Sequence, residues 1–152
     1  MTTDKTWRVY LSGEIHTDWR LTIEQGAREH GLRVVFSAPV CDHEASDECG
    51  VRILGEEVDP FWKDHKGAKL NAIRTRTHLN HADIVIVRFA GKYREWNAAL
   101  DAGYALARGT PCIVIHAAEL THALKEVDAS ALAVAQTPEQ AVEALWHVIA
   151  QR

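Results

Sequence analysis

Four short runs of apolar, largely β-branched residues recur along the chain, and stretches of helical character separate them. The runs are WRVYLS (7–12), RVVFSA (33–38), DIVIVRF (83–89) and PCIVIH (111–116), and ALAVA (131–135) is a weaker fifth. Continuous apolar strands that alternate with helices are typical of a parallel sheet covered on both faces. The sequence therefore predicts an α/β fold: a single doubly wound five-stranded parallel sheet flanked by helices, flavodoxin-like or Rossmann-like, with strand order 2-1-3-4-5.

The connections between these runs carry helix signals. After the first run, Thr17 or Asp18 can cap a helix that Gly31 ends. Thr137 and Pro138 fit the N-cap and the first position of the last helix. The remaining predicted helices lie in 66–82, 97–109, 118–127 and 137–151.

Residues 39–65 interrupt this alternation with a polar, acidic stretch that is long for a connection in a compact domain. Such loops are usually functional lids or interfaces, or else mobile excursions. We expect a solvated acidic lid, because the acids and His43 in CDHEASDEC match no metal-binding template. No repeat or linker marks a second domain, so residues 1–152 are predicted to form one domain with a long loop at 39–65.

Charge and cysteine content narrow the classes of partner. A net charge of -4 and a pI near 6.1 argue against a nucleic-acid polymer, which usually requires a basic face. No apolar leader is seen and no run reaches the ~18 apolar residues of a membrane helix, so no membrane partner is expected. The chain has three cysteines, an odd number. Cys112 lies in an apolar run that predicts a buried thiol. A reducing cytoplasm is the simplest setting.

Ligands of doubly wound sheets bind beyond the carboxyl ends of the strands. Gly13, Glu14 and His16 follow the first strand. Gly13 permits close backbone approach to a ligand, and His16 could hydrogen-bond a sugar hydroxyl or donate a proton. The alternative is a tight polar turn that caps the following helix.

Two carboxylates, Glu95 and Asp101, flank the start of the helix that follows the third strand. If this helix begins near Asn97, Asp101 lies in its first turn, where the helix dipole favours an ionised carboxylate by ~0.3–1 kcal/mol. A positioned carboxylate can attack an anomeric carbon while a second one handles protons, at a separation of ~5–5.5 Å. The alternative is a helix cap and a solvated surface acid.

Aromatic and basic side chains near this point are further candidates for ligand contacts. Tyr93 and Trp96 could stack on a nucleobase or ribose, or could cover a subunit contact. Arg74, Arg76 and Arg88 could pair with the carboxylates or bind a phosphate. Arg74 and Arg76 lie two apart on a predicted helix, so only one of them can face the cleft squarely.

The segment ADIVIV, followed by a short loop, an acidic residue, five residues, another acidic residue and GYALARGTPCIVI, resembles the nucleoside 2-deoxyribosyltransferases. The opening VYLSGEIHTDWR resembles the first strand and turn of the same family, and in detail its divergent YtoQ-like branch. The resemblance implies that the family's nucleophilic Glu falls on Asp101 and its substrate-holding Asp on Glu95, so the two acids have exchanged lengths. Asn97 occupies the position where the family usually has Gly. A further Asp of the family falls near Thr75.

The resemblance also implies an activity. Asp101 would attack C1′ of a 2′-deoxynucleoside or nucleotide, Glu95 or a neighbour would protonate the leaving base, and a second base or water would release the sugar. No metal or organic cofactor is implied, and a homodimer or higher homo-oligomer is expected. Two other functions remain open: a module on the same scaffold that binds a nucleoside or nucleotide without turnover, and an oligomeric interaction protein.

Overall fold

The computed structural model describes residues 5–150 and contains one five-stranded sheet in that range. Every neighbouring pair of strands is parallel, and the strand order is β2-β1-β3-β4-β5. Both the sheet and its order are therefore confirmed. The strands are β1 (Trp7–Gly13), β2 (Val34–Ser37), β3 (Ile84–Arg88), β4 (Cys112–Ile115) and β5 (Ala133–Ala135).

Helices cover both faces of the sheet. Helices α1 (Trp19–Glu29) and α6 (Pro138–Ala150) contribute to one apolar core. Helices α3 (Pro60–His81), α4 (Trp96–Ala107) and α5 (Lys125–Ser130) contribute to the other. No helix of the described chain, 5–150, is long and apolar enough to cross a membrane.

Alternation along β1 divides its side chains between the two cores. Val9 and Leu11 belong to the core under α1 and α6, and Tyr10 belongs to the core under α3 and α4. Because successive strand residues point to opposite faces, Ser12 lies on the same face as Tyr10. Ser12 pairs in register with Val87 of β3. The end of β1 therefore presents a buried hydroxyl to the α4 side of the sheet.

Helix ends follow the predicted signals in part. The Thr137 hydroxyl accepts a hydrogen bond from Gln140 N at 3.2 Å, so the predicted cap of α6 is confirmed. Gly31 follows α1 with a φ of 64°. Asp18 precedes α1, but its side chain makes no capping hydrogen bond. The predicted helix over 118–127 is wrong in detail: a 3-10 turn and a short α5 replace it, while Leu120, Leu124 and Val127 still pack on the core.

The predicted long loop at 39–65 is wrong. Most of it is helical: α2 (His43–Leu54) and the first turns of α3 form a hairpin with a short connection. Asp42 caps α2 by accepting from Ala45 N at 2.9 Å. Asp59 caps α3 by accepting from Phe61 N at 2.9 Å, and Pro60 occupies its first turn. These are standard start signals of helices, and they decide the local structure despite the polar composition.

Two glycines allow α2 to pack closely on α3. A Cβ added at Gly50 would lie 2.4 Å from Gly67 N, so no larger residue fits without separating the helices. Asn71 of α3 donates to Ser46 O of α2 at 3.0 Å. The tertiary contact thus offsets the low helix propensity of glycine.

Candidate active site

Asp101 lies in the second turn of α4, with its side chain against the end of β1. The prediction that it lies in the first turn is wrong, because α4 begins at Trp96 and has no acid in its first turn. Stabilisation by the helix dipole falls off within that turn. Asp101 is instead stabilised by Ser12, whose Oγ donates a hydrogen bond to Asp101 Oδ2 at 2.6 Å.

Burial shapes the acidity of Asp101 and of its neighbour Tyr10. Burial raises the pKa of Asp101, and the hydrogen bond from Ser12 opposes that shift. Burial also raises the pKa of Tyr10 to about 12. Thr75 is close enough to lower the Tyr10 pKa somewhat, yet the buried Tyr10 hydroxyl has no hydrogen bond of ordinary geometry within residues 5–150.

Glu95 occupies the residue before α4 and faces a different environment. Its carboxylate accepts a long hydrogen bond from Ala90 N at 3.3 Å. Burial raises the pKa of Glu95, and hydrogen bonds from the backbone of Glu95 and Ala90 oppose that shift. Glu14 adds to the rise by its charge, while His16 acts against it. The proton affinity of Glu95 is therefore influenced by the loop after β1, whereas that of Asp101 is set by burial and by Ser12.

Glu14 is buried and holds the loop that follows β1. Its carboxylate accepts from the Thr17 hydroxyl at 2.5 Å and from the backbone N–H of His16. Burial opposes ionisation, but these hydrogen bonds outweigh it and bring the pKa of Glu14 below its usual value. The Glu14 side chain therefore stabilises the turn in which it lies.

Gly13 is the tightest backbone position of the site. Its φ is 108°, and an added Cβ would lie 2.1 Å from the carbonyl oxygen of Arg88 in β3. That same oxygen accepts the backbone N–H of Glu14 at 3.1 Å. The close approach that Gly13 permits is therefore to the neighbouring strand.

Arg20 is a buried cation that the sequence reasoning missed. Its guanidinium donates to the carbonyl oxygens of Leu11 at 3.1 Å, Gly13 at 3.1 Å and Glu14 at 2.6 Å. It therefore fixes the carboxyl end of β1 and the start of the loop. Ser12 was missed as well, although a serine inside an apolar strand and directly before the strand-ending glycine is a readable signal.

Aromatic side chains lie at the exposed side of the site. The rings of His16 and Tyr93 have centroids 4.3 Å apart and are inclined by 39°. Trp96 is 71% exposed, with the Arg94 guanidinium 5.9 Å from its ring. Asn97 beside it is also exposed. The structure thus brings His16 and Tyr93 into contact, and the exposed Trp96 has the Arg94 guanidinium over its ring.

The three predicted arginines do not converge on the carboxylates. Arg74 donates to Ala38 O at 2.7 Å and so ties α3 to the end of β2. Arg76 is exposed. Arg88 is partly buried at the end of β3, close enough to Glu14 to lower its pKa.

A second polar pair, the buried His116 and the partly buried Asp128, lies at the end of β4. His116 Nε2 is 2.9 Å from Asp128 Oδ2, and its Nδ1 is 2.8 Å from Ala117 O. This pair ties β4 to α5 and was not predicted.

Across residues 5–150, no three His, Cys, Asp or Glu side chains are grouped so that they could hold a metal ion. Two surface depressions of about 340 and 280 Å³ lie away from the site, beside α1 and on α2.

Comparison with known proteins extends this description. A family model described as nucleoside 2-deoxyribosyltransferase YtoQ matches residues 10–149. The uncharacterized protein YtoQ of Bacillus subtilis (strain 168) is 41% identical over 140 residues, which cover 92% of this chain and 95% of that protein.

Solved structures show the same fold at low identity. A 2-deoxyribosyltransferase from Bacillus psychrosaccharolyticus is 17% identical with a TM-score of 0.54, over 89% of this chain and 90% of that one. A conserved protein from Enterococcus faecalis V583 is 13% identical with a TM-score of 0.65, over 95% and 100%. DNA processing protein A from Helicobacter pylori, described for its single-stranded DNA binding, is 13% identical with a TM-score of 0.52, over 96% and 83%. At these identities the likeness concerns the fold alone.

Proposed function

Because this chain belongs to the nucleoside 2-deoxyribosyltransferase YtoQ family, we propose that it cleaves the N-glycosidic bond of a nucleoside or nucleotide with Asp101 as nucleophile. The observation that carries the proposal is the hydrogen bond from Ser12, which orients a partly buried carboxylate at the carboxyl end of β1. Doubly wound folds bind their ligands at this edge.

The proposed reaction has two steps. An oxygen of Asp101 attacks C1′ of the sugar while the bond from C1′ to the base nitrogen breaks. The electron pair of that bond stays on the base, which takes the proton of Glu95. A nitrogen of a second base, or a water, then attacks C1′, displaces the carboxylate and returns a proton to Glu95. Attack by a second base gives transfer, and attack by water gives hydrolysis.

The environment of Glu95 supports its role as the proton donor. Burial raises the pKa of Glu95, so its protonated form persists to higher pH than that of an exposed Glu. Turnover should therefore fall as the pH rises through this raised pKa. Glu95→Gln should remove that limb of the pH–rate profile together with most of the activity.

The exposed side of the site supports recognition of a base. His16 and Tyr93 form a tilted aromatic pair, and the exposed Trp96 offers a further ring for stacking. Asn97 is exposed at the start of α4 and is free to hydrogen-bond a ligand. Gly13, Glu14 and Arg74 would contribute by shaping the backbone around the sugar, since their own contacts are within the fold.

The test is a chromatographic assay of the purified protein with 2′-deoxynucleosides and their 5′-monophosphates, each with and without a second free base. Exchange of bases identifies a transferase, and base release alone identifies a hydrolase. Asp101→Ala should lower turnover by roughly three orders of magnitude or more while the circular dichroism stays native. Asp47→Ala, at an exposed acid on α2, is the matched control. A folded protein that forms no product from any pair contradicts the proposal.

A second candidate function is binding of a nucleoside or nucleotide without turnover. Two observations favour it: Asp101 is shorter than the Glu of the family, and burial raises its pKa and so disfavours the ionised nucleophile. Saturable binding by calorimetry, with no product in the same mixtures, would select this function over catalysis.

The chain is also proposed to form a homodimer through the outer faces of α3 and α4. Ile73 and Leu100 are exposed by 67% and 68%. A hydrogen bond of 2.8 Å between Tyr104 and Asn80 holds the two helices side by side. An exposed apolar patch beside a ligand site is typical of a protein interface, and a two-fold axis would bury it against its own copy.

Sedimentation equilibrium tests this assembly. Leu100→Glu should convert the dimer into a monomer. Leu21→Glu is the matched control, because Leu21 is 58% exposed on α1, at the opposite face of the sheet. A wild-type protein that is monomeric at high micromolar concentration would contradict the proposed dimer.

A further inference from the structure

Ser12 places a buried hydroxyl beside the proposed nucleophile. It is 1% exposed, and its backbone is fixed by pairing with Val87 of β3. Arg20 fixes the residues on either side by donating to the carbonyl oxygens of Leu11 and Gly13. The hydroxyl therefore has little freedom to move away from α4.

The contact between Ser12 and Asp101 makes the two oxygens of the carboxylate different. Oδ2 accepts the Ser12 hydroxyl at 2.6 Å, a length usual for an O–H donor on a charged acceptor. Oδ1 of Asp101 accepts no hydrogen bond from the residues between 5 and 150. The protein therefore holds one oxygen by a hydrogen bond and leaves the other without a donor from this range.

We infer that Ser12 is a positioning residue: it holds Oδ2 of Asp101 so that Oδ1 is the atom that attacks C1′. The inference rests on the proposed function. Such a residue is needed because the Asp101 side chain is short. Asp101 also lies beyond the first turn of α4, where the helix dipole no longer stabilises a carboxylate. When the glycosyl ester later breaks, negative charge returns to the carboxylate, and the Ser12 hydroxyl stabilises it.

The first test measures steady-state kinetics of base release for Ser12→Ala and Ser12→Thr. Ser12→Ala should lower kcat roughly 10- to 100-fold, as expected when a reacting group is misplaced by about 1 Å, with KM changed by less than about 3-fold. Ser12→Thr keeps the donor and should recover most of the rate. Ser37→Ala removes a hydroxyl at the carboxyl end of β2 and should leave the rate unchanged.

The second test does not depend on turnover. Carbon-13 NMR of protein labelled at the Asp side-chain carboxyls follows the titration of Asp101, whose signal is assigned by its loss in Asp101→Asn. Ser12→Ala should raise the pKa of Asp101, because the donor that favours the ionised form is gone. Ser12→Thr should restore the wild-type value, and Ser37→Ala should not change it. If threonine does not fit the buried site, Ser12→Cys keeps the size with a weaker donor and should give an intermediate value.

The outcomes separate the two claims. If the wild-type protein shows no turnover but the pKa of Asp101 still depends on Ser12, the proposed function is overturned. The hydrogen bond from Ser12 to Asp101 is then still supported. Active wild-type protein in which Ser12→Ala changes neither kcat nor the Asp101 pKa would overturn the positioning role. A Ser12→Ala variant that alters KM alone would also overturn it, since that would assign Ser12 to substrate binding.

Discussion

Substitution of Gly13 by alanine tests the tightest contact in the site. The backbone there has a φ of 108°, and an added Cβ would lie 2.1 Å from Arg88 O, whereas real Cβ contacts are essentially never shorter than 3.0 Å. The strands must therefore separate by close to an ångström at this point. The hydrogen bond from Glu14 N to the same oxygen, 3.1 Å long, would be lost with them.

Two costs add up in Gly13→Ala. A strained backbone conformation costs about 1–3 kcal/mol. Loss of a buried hydrogen bond that leaves its groups unsatisfied costs about 1–3 kcal/mol more. We expect the free energy of unfolding to fall by about 3 kcal/mol or more, which in a chain of this size lowers Tm by roughly 6–12 °C.

The assay is urea unfolding followed by circular dichroism, and the control is Gly31→Ala. Gly31 also has a positive φ, 64°, but an added Cβ there would meet no atom within 4 Å. The control isolates backbone strain, at about 1–2 kcal/mol. If Gly13→Ala is no more destabilising than Gly31→Ala, the contact with β3 does not constrain this position and the reasoning is refuted.

Three further predictions concern buried polar groups. Tyr10→Phe removes a buried hydroxyl that has no hydrogen bond of ordinary geometry, so the urea midpoint should stay equal or rise; a loss above about 1 kcal/mol would show that the hydroxyl has a partner. Asp128→Ala leaves the ring of His116 buried without its carboxylate and should lower the free energy of unfolding by about 1–3 kcal/mol, against less than about 0.5 kcal/mol for the exposed Asp47→Ala. Burial raises the pKa of Asp101 above its ordinary 3.8, so the folded state binds the proton more tightly than the unfolded chain and loses stability as the pH rises from about 4 towards neutrality. Asp101→Asn should therefore raise Tm relative to wild type more at pH 7 than at pH 3, and equal differences at both pH values would contradict the assignment.

The strands could be predicted because their signals are local, and their order is the usual order of a flavodoxin-like sheet. Each buried strand is a continuous apolar run, and helices alternate with them, so the parallel sheet follows from chain order and packing rules. The burial of Cys112 could be read from its run in the same way, and burial raises the pKa of its thiol to about 12.

The hairpin of α2 and α3 was missed because its composition is that of a loop. Few of its residues are buried, so it lacks a strong apolar stripe, and Gly50 lowers its helix propensity. The caps at Asp42 and Asp59 were readable, but the packing of Gly50 on Gly67 that stabilises the hairpin depends on a contact between distant residues.

The location of the candidate residues in the fold could be predicted in outline, but their contacts could not. The edge of the sheet and the positions of Glu95 and Asp101 follow from topology. The partner of Asp101 does not, because Ser12 lies 89 residues away in sequence. Only the three-dimensional register of β1 against β3 brings that serine to α4, and no periodicity in the sequence encodes such a pairing.

The interior position of β1 in the sheet has a consequence for how the protein is made. Of the five described strands, β1 is synthesised first, yet one of its two neighbours is β3, whose residues follow far later, as in the pairing of Val9 with Ile84. At about 5–20 residues per second, translation leaves that edge of β1 unpaired for on the order of ten seconds. During this interval an apolar strand edge is open to other nascent chains, so slower folding or overproduction should divert the chain into aggregates before the site can form.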